Sequence, residues 1–150
     1  MLESWLEYHR ATLVMKCAGL DAAGLRARSV PPSMLNLHGI VRHMAEVERN
    51  WFQRVLGGED AAPIFYSEEG PDDDVDVGDD AEFAADLATW RAECDRGRTI
   101  AASRTLDDTG LRRGEPCSLR WIYVHMIEEY ARHNGHADLI RECVDGAVGE

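Results

Sequence analysis

Residues 118–140 read SLRWIYVHMIEEYARHNGHADLI and carry the strongest structural signal in the chain. At about 3.6 residues per turn, a helix over this stretch presents one stripe of mixed chemistry. The stripe consists of Ile122, His125, Glu129, His133, His136 and Ile140. Its apolar neighbours predict that it faces a core, where a carboxylate and imidazoles are costly unless they are paired or bind a metal. The stretch therefore predicts a long helix with a polar site on its inner face.

Three more helices are predicted upstream, because apolar residues recur there at helical spacing. They cover approximately residues 2–20, 36–56 and 79–104. Asn36 and Ser118 are favourable N-cap residues for the second and fourth helices, and Asp79-Asp80 can cap the third. Gly57-Gly58 is expected to end the second helix. No strand is predicted, and residues 107–116 are interpreted as a glycine-containing loop.

Four long amphipathic helices indicate an all-α fold, a four-helix bundle that occupies residues 1–150 as a single domain. The connection between the second and third helices is about 20 residues long, which favours a crossover along the bundle over a tight hairpin. We therefore do not expect simple up-down-up-down topology. The acidic part of this connection, residues 72–80, lacks the glycine and glutamate offsets of an EF-hand. It is interpreted as a solvated loop.

The charge balance excludes several classes of partner. The chain carries 28 acidic and 16 basic residues, a net charge of −12. This field repels nucleic-acid phosphates and anionic membrane surfaces, so we expect neither as a partner. No uncharged apolar stretch approaches the roughly 20 residues of a membrane span, and the N-terminus does not resemble a signal peptide. The four scattered cysteines favour reduced thiols in a cytoplasmic protein: Cys17, Cys94, Cys117 and Cys143.

Glu129 and His133 are the leading candidates for a metal site. Four residues apart on a helix, their side chains lie on one face, about 6 Å apart along the axis, and can converge on one cation. A third ligand must come from another helix, and the sequence offers three candidates for it: His9, His38 and His43. Two imidazoles and one carboxylate suit zinc, iron, nickel or manganese, with positions left for water or substrate. The alternative is a plain side-chain pair without a metal.

Several other side chains have both a functional and a structural interpretation. His125, one turn before Glu129, is interpreted as a pocket-wall or core histidine, with ligand or base as the alternative. Cys117 precedes the fourth helix, whose dipole could lower its pKa, but no nearby motif supports a nucleophile. Three arginines are expected in surface ion pairs, although they could meet an anionic substrate: Arg120, Arg132 and Arg141. The tryptophans are expected in the core or an interface, with pocket lining as the alternative: Trp5, Trp51, Trp90 and Trp121.

Two segments resemble motifs of the DinB-like superfamily. Residues 37–52, LHGIVRHMAEVERNWF, resemble its second-helix motif, and residues 129–138, EYARHNGHAD, resemble its last-helix motif. The resemblance extends over nearly the whole chain and is closest to a branch with many actinobacterial members. Some relatives in that wider group are mycothiol-dependent S-transferases and mycothiol-dependent maleylpyruvate isomerases. The resemblance implies a four-helix bundle, often a homodimer, with one divalent metal near one end.

The resemblance also implies a set of ligands. The second-helix histidine of the motif falls on His43, and the last-helix ligands fall on Glu129 and His133. Many members carry three histidines, but the isomerase-like members have a glutamate at the position of Glu129. His136 falls where many relatives have glutamine, so we expect it beside the ligands or, like His125, at the pocket wall. Direct ligation by His136 is the lesser alternative.

The implied function is a metal-dependent thiol S-transferase, with mycothiol as the thiol and a small electrophile as its second substrate. Zinc is the metal expected first. The physical logic is that the thiolate is the nucleophile, and a cation beside a thiol lowers its pKa. Two alternatives stay open from the sequence: a non-catalytic metal-binding stress-response module, and a metal-dependent hydrolase that uses bound water.

Overall fold

Five helices and one hairpin make up the fold. The computed structural model describes residues 1–67, 70, 73–78 and 80–149. Its helices are α1 (Leu2–Cys17), α2 (Ala22–Arg26), α3 (Leu37–Glu48), α4 (Phe83–Ala102) and α5 (Leu119–Asp145). A π-helical segment, Arg49–Leu56, continues α3, and the strands β1 (Thr109–Arg112) and β2 (Glu115–Ser118) precede α5. The all-α prediction is confirmed, since the strands of the described residues form one small two-stranded sheet.

Helices α3 and α4 run parallel to each other. His38 Nε2 lies 2.8 Å from Asp86 Oδ2, and further along both helices Arg49 donates to Glu93. Residue numbers therefore rise together on the two helices. A tight hairpin cannot join parallel neighbours, so the chain between them, residues 57–82, crosses the length of the bundle. The predicted crossover is confirmed.

Helices α1 and α5 form the second parallel pair. The Asn134 amide donates to the backbone carbonyl of His9, and Lys16 pairs with Asp138 at 2.8 Å. The long N-terminal and C-terminal helices thus lie side by side in the same direction. With α3 and α4 as the other parallel pair, the topology differs from simple up-down-up-down, as expected.

The caps predicted at Asn36, Ser118 and Gly57 are found in the structure. The side chain of Asn36 accepts a hydrogen bond from the Gly39 amide (2.8 Å), and the Ser118 hydroxyl accepts one from the Trp121 amide (3.2 Å). These bonds satisfy N–H groups that the first turn of a helix leaves unpaired. Gly57 caps the end of the π-helical segment.

The hairpin corrects the prediction of a loop over residues 107–116. β1 and β2 pair antiparallel, with Arg112 opposite Glu115. Both residues of the turn between them have positive φ (51° at Arg113 and 85° at Gly114), as a type I′ turn requires. The strands are short and do not alternate in hydropathy, so periodicity gave no signal for them.

Two helix boundaries also differ from the prediction. The first helix ends at Cys17 rather than near residue 20, and the short helix α2 follows it. The third helix begins at Phe83, with Glu82 at its N-cap position and no side-chain capping bond. The predicted capping pair therefore lies upstream of the helix start, and its member Asp79 lies outside the described residues.

The core lies between the four long helices. Its fully buried side chains include Leu6, Leu13, Met44, Ile122, Met126 and Tyr130. Burying a large apolar side chain stabilises the fold by about 1.5–3 kcal/mol. Trp51 and Trp90 belong to this core, whereas Trp5 and Trp121 stay half exposed at its edge. Of the helices described, none has the length and apolar character needed to cross a bilayer.

Candidate metal centre

Helix α5 brings two of the predicted ligands together. Glu129 and His133 lie one turn apart, with 3.7 Å between Glu129 Oε2 and His133 Nε2. Ile122 and Ile140, at the ends of the predicted stripe, are buried in the core. The polar members of the stripe lie at the edge of that core, where 23% of the Glu129 side chain and 13% of the His133 side chain are exposed. The inward direction of the stripe is thus set by its apolar members.

Helix α3 supplies the third candidate ligand, His43. Helices α3 and α5 run antiparallel, because His43 faces His133 while Trp51 faces Trp121 further along. The ring centroids of His43 and His133 are 4.8 Å apart. One ligand atom from each of His43, Glu129 and His133 lies within 4.8 Å of the others. This arrangement could hold a divalent cation with two imidazoles and one carboxylate.

The other two histidines left open by the sequence lie elsewhere. His9 contacts Asn134 and the rings of Trp5 and Tyr8, and burial lowers its pKa. His38 is completely buried between α3 and α4, where Asp86 is its hydrogen-bond partner. Neither residue belongs to a candidate metal-binding group among the described residues. Tertiary packing therefore selects His43 from the three.

Asp74 is a residue of the centre that sequence reasoning missed. Its Oδ2 accepts a hydrogen bond from His43 Nδ1 at 2.7 Å, and Asp74 is buried. Because a carboxylate accepts and does not donate, this bond leaves Nε2 as the nitrogen of His43 that can bind a metal. The interpretation of the acidic segment as a solvated loop is wrong at this position, while Asp72 lies outside the described residues.

Gly39 allows the backbone of Val75 to lie directly against α3. A Cβ at this position would lie 2.5 Å from the backbone carbonyl oxygen of Val75. The missing side chain thus allows the segment around Val75 to pack directly on the helix, one turn before His43. This close approach carries Asp74 to the ring of His43. A glycine inside a predicted helix was the one available signal for such a contact.

The protonation of His133 suits a metal ligand. Burial lowers its pKa to about 4, and the facing rings of His43 and His136 add to the effect. The ring is therefore neutral near pH 7, which is the form that binds metals. His133 Nδ1 is buried without a hydrogen-bond partner among the described residues. The donor set and its spacing fit a bound divalent ion.

Comparison with known proteins assigns nearly the whole chain to one family. The family model described as MST, mycothiol-S-transferase, matches residues 1–146. The chain belongs to the mycothiol-S-transferase family. The match spans the four long helices and every residue of the candidate centre, and it confirms the kinship indicated by the two helix motifs. No curated protein and no solved structure matches the chain.

His136 and His125 flank the centre in this mycothiol-S-transferase family member. The His136 ring lies 5.3 Å from that of His133, and its Nδ1 is buried without a partner among the described residues. His125 Nε2 lies 3.2 Å from Glu129 Oε1 on the opposite side. His125, Glu128 and Glu129 form a second group that could hold a metal. Glu129 is common to both groups, with Oε1 nearest His125 and Oε2 nearest His133.

The arginines predicted for surface ion pairs are found in them. Arg120 pairs with Asp107, Arg132 with Glu128 and Arg141 with Asp145. Their charges are therefore already matched within the chain. Among the cysteines, burial raises the pKa of Cys117. This shift is the opposite of what a nucleophilic thiol needs, so the structure gives no support to the alternative of a protein nucleophile.

The four thiols should differ in their rates of alkylation. Cys143 is exposed, whereas the other three are buried, and burial raises the pKa of Cys17 to about 12. Because the thiolate is the reacting form, we expect iodoacetamide at neutral pH to modify Cys143 first in the native protein. Mass spectrometry of tryptic peptides would measure this order, with urea-unfolded protein as the control in which all four react. Equal rates for Cys143 and Cys94 in native protein would contradict the buried position of Cys94.

Proposed function

We propose that this chain is a metal-dependent S-transferase that joins mycothiol to small electrophiles, with its metal held by His43, Glu129 and His133. One observation carries the proposal. In a member of the mycothiol-S-transferase family, donor atoms of these three residues lie within 4.8 Å of one another. Three protein ligands leave coordination positions for a thiol. Zinc suits this donor set, although nickel, iron and manganese are also compatible with it.

The proposed reaction is a nucleophilic substitution. A divalent ion at this position would lower the pKa of a thiol bound to it and so supply a thiolate at neutral pH. The thiol proton goes to solvent, a C–S bond forms at the electrophilic carbon, and the bond to the leaving group breaks. The leaving group departs with the electron pair of that bond, so no oxidant or reductant is needed. The half-buried positions of His43 and Glu129 leave the centre open to both substrates.

Metal removal and return would test the proposed function. Protein stripped with a chelator and reloaded with zinc, nickel, iron or manganese is mixed with mycothiol and chlorodinitrobenzene. We expect conjugate formation above the uncatalysed rate with at least one metal, and its loss in stripped protein. Conjugation that is equally fast without metal would refute the metal dependence. If none of the four metals supports consumption of mycothiol, the transferase function is refuted.

Substrate loss without thiol would instead identify the hydrolase that the sequence left open. Tight metal retention without any turnover would identify the non-catalytic binding module. Both outcomes contradict the transferase proposal and leave the family membership intact. Zinc as the resident metal, a homodimer and a cytoplasmic location stay predictions, to be checked by metal analysis, sedimentation and fractionation.

Asp74→Asn should weaken zinc binding by about 10- to 100-fold, the usual effect of removing a carboxylate that orients a ligating histidine. The amide can turn its NH₂ group toward His43 Nδ1, so the ring loses the acceptor that now holds it at 2.7 Å. Competition with a chromophoric chelator would measure the dissociation constant, whatever the activity of the variant.

Gly39→Ala and Asp76→Asn complete this test. The alanine Cβ would meet the Val75 carbonyl and displace the segment that carries Asp74, so we expect weaker zinc binding in that variant too. Asp76 is the matched control, because it lies in the same acidic segment but pairs with the exposed Arg28. Native zinc affinity in Asp74→Asn, or an equal loss in Asp76→Asn, would show that Asp74 does not position His43.

A further inference from the structure

The hairpin carries an arginine over two tryptophans beside the candidate centre. The Arg112 guanidinium lies 5.2 Å from the centroid of Trp51 and 5.5 Å from that of Trp121. The two indole rings are themselves 5.2 Å apart. Cation–π contacts of this kind fix the position of a guanidinium and leave its charge unneutralised. Arg112 is thus held in place without a negative partner.

The packing of the hairpin on the π-helical segment determines the position of Arg112. A Cβ at Gly110 would collide with the backbone carbonyl of Val55, so β1 can approach the π-helical segment only because it has glycine there. Trp51 belongs to that same segment. Arg112 is two residues after Gly110 on β1, so it lies on the same face of the strand. Its side chain reaches the ring of Trp51. The position of Arg112 is a consequence of the fold and not of a flexible surface loop.

The charge of Arg112 is unmatched in an acidic protein. Of the carboxylates in the described part of the chain, none lies within ion-pair distance of Arg112 or Arg113, whereas Arg120 and Arg132 are paired. The net charge of the chain is −12, so this site with two unpaired arginines has the opposite sign to the protein as a whole. A positive site of this kind favours an anion.

A cavity opens beside these residues. It has a volume of about 590 Å³, within the range of small-molecule sites, and its walls include Arg112, Arg113 and Trp121. Trp121 is 42% exposed, which leaves apolar surface available to a ligand. Glu115 also lines the cavity and opposes an anion from one side.

Helix α5 connects the cavity wall to the candidate metal centre. Trp121, His125 and Glu129 succeed one another at four-residue intervals, so Trp121 and Glu129 are about 12 Å apart along the helix. The rings of Trp121 and His125 stack at 5.0 Å, and His125 contacts Glu129 at 3.2 Å. A small molecule held at the tryptophans could therefore extend toward the centre.

We propose that Arg112, supported by Trp51 and Trp121, binds the carboxylate of a small anionic electrophile in the hairpin cavity. A planar guanidinium matches a carboxylate with two parallel hydrogen bonds, and the exposed indole surface takes the apolar part of the molecule. The identification of this molecule as the electrophile rests on the proposed function. The anion site itself rests on the unpaired arginine and its cavity.

Binding of two matched probes would test the site without thiol or metal. Dinitrobenzoate carries the carboxylate, and the neutral dinitrobenzamide is its control. Indole N–H signals in NMR would follow both titrations, with Trp51 and Trp121 as reporters and Trp5 and Trp90 as internal references. We expect dinitrobenzoate to shift the two reporters and to bind about tenfold more tightly than the amide, as a charge-assisted pair allows.

Variants would assign the preference to Arg112. Arg112→Gln should abolish the tenfold preference for the carboxylate, and Arg112→Lys should retain part of it. Arg120→Gln is the matched control, because Arg120 is a nearby exposed arginine already paired with Asp107. Equal binding of both probes by the native protein would overturn the proposal. So would an unchanged preference in Arg112→Gln, or the same loss in Arg120→Gln.

A turnover assay tests the anion site and the transferase function independently of each other. With mycothiol, the native protein and Arg120→Gln should prefer chlorodinitrobenzoate to the neutral chlorodinitrobenzamide, and Arg112→Gln should lose that preference. Turnover of the neutral compound without any preference would overturn the subsite and leave the transferase intact. No turnover of either compound, with selective binding preserved, would refute the transferase and uphold the anion site.

Discussion

Replacing His133 by alanine should weaken zinc binding by more than about 100-fold, and His43→Ala should have a similar effect. The binding free energy of a zinc site in a protein, about 10–16 kcal/mol for four-ligand structural sites, is shared among few ligands. Each ligand therefore carries several kcal/mol, and about 1.4 kcal/mol is a tenfold change. Both histidines belong to the group whose donor atoms lie within 4.8 Å of one another. Chelator competition and metal analysis of purified protein would measure the loss.

Matched variants would distinguish the two possible groups of ligands. His125→Ala should keep most of the zinc affinity if His43 and His133 are the ligands, since His125 belongs to the alternative group with Glu128. His9→Gln is the histidine control, because His9 lies outside both groups. Native affinity in His43→Ala and His133→Ala would refute the ligand assignment. Loss of zinc in His125→Ala alone would move the site to the alternative group.

Arg10→Met should destabilise the fold by about 3–5 kcal/mol, the cost of leaving one partner of a buried ion pair uncompensated. Arg10 Nε and a second guanidinium nitrogen donate to the two oxygens of Glu48, at 2.8 and 2.6 Å. Arg10 is 3% exposed and Glu48 is completely buried. Urea unfolding, with the free energy extrapolated to water, would measure the change.

The same network includes all four long helices. Tyr130 on α5 donates to Glu48 on α3 at 2.6 Å, and Trp90 on α4 donates to the Tyr130 hydroxyl at 2.9 Å. Burial, with the charge of Glu48, raises the pKa of Tyr130 well above its usual value, so its proton is retained. Tyr130 follows Glu129 directly, and its fixed position sets the rotation of α5 that turns Glu129 toward α3. We infer that this network stabilises the geometry of the candidate centre.

Two variants serve as controls for the network. Arg98→Ala removes an arginine that pairs with Glu7 at the surface, where 40% and 37% of the two side chains are exposed. It should cost less than about 1 kcal/mol. The double variant Arg10→Met, Glu48→Met should recover much of the loss, because it leaves no buried charge unpaired. An Arg10→Met protein as stable as Arg98→Ala would contradict the importance of the buried pair.

The sequence predicted most of the helical framework because its signals are local. Asn36 and Ser118 cap helices through bonds to amides three residues away, which depend only on neighbouring residues. The hairpin was missed because two strands of four residues are too short to show an alternation of apolar and polar residues. It packs on the π-helical segment through a tertiary contact at Gly110, which has no signal in the local sequence.

The candidate site was predictable to the extent that one helix defines it. Glu129 and His133 lie on the same face because the helical repeat puts residues four apart together, so their spacing made them candidates for a shared cation, with a plain side-chain pair as the alternative. His125 and His136 were expected near them for the same reason, and both flank the centre. Arg112 was not considered, because nothing in its sequence neighbourhood indicates two tryptophans from other elements.

The sequence by itself determined the four long helices, the caps at Asn36 and Ser118 and the paired donors on α5, because short-range backbone geometry fixes all three. The resemblance of residues 37–52 to a family motif had already pointed to His43, but only the tertiary structure shows that His43, and not His9 or His38, faces those donors. That choice depends on the direction and rotation of α3 against α5, which the packing of the whole core sets. Asp74 likewise reaches His43 only because Gly39 lets a distant segment lie directly on α3. Contacts between segments far apart in the chain have no local signal, so the fold alone completes the centre.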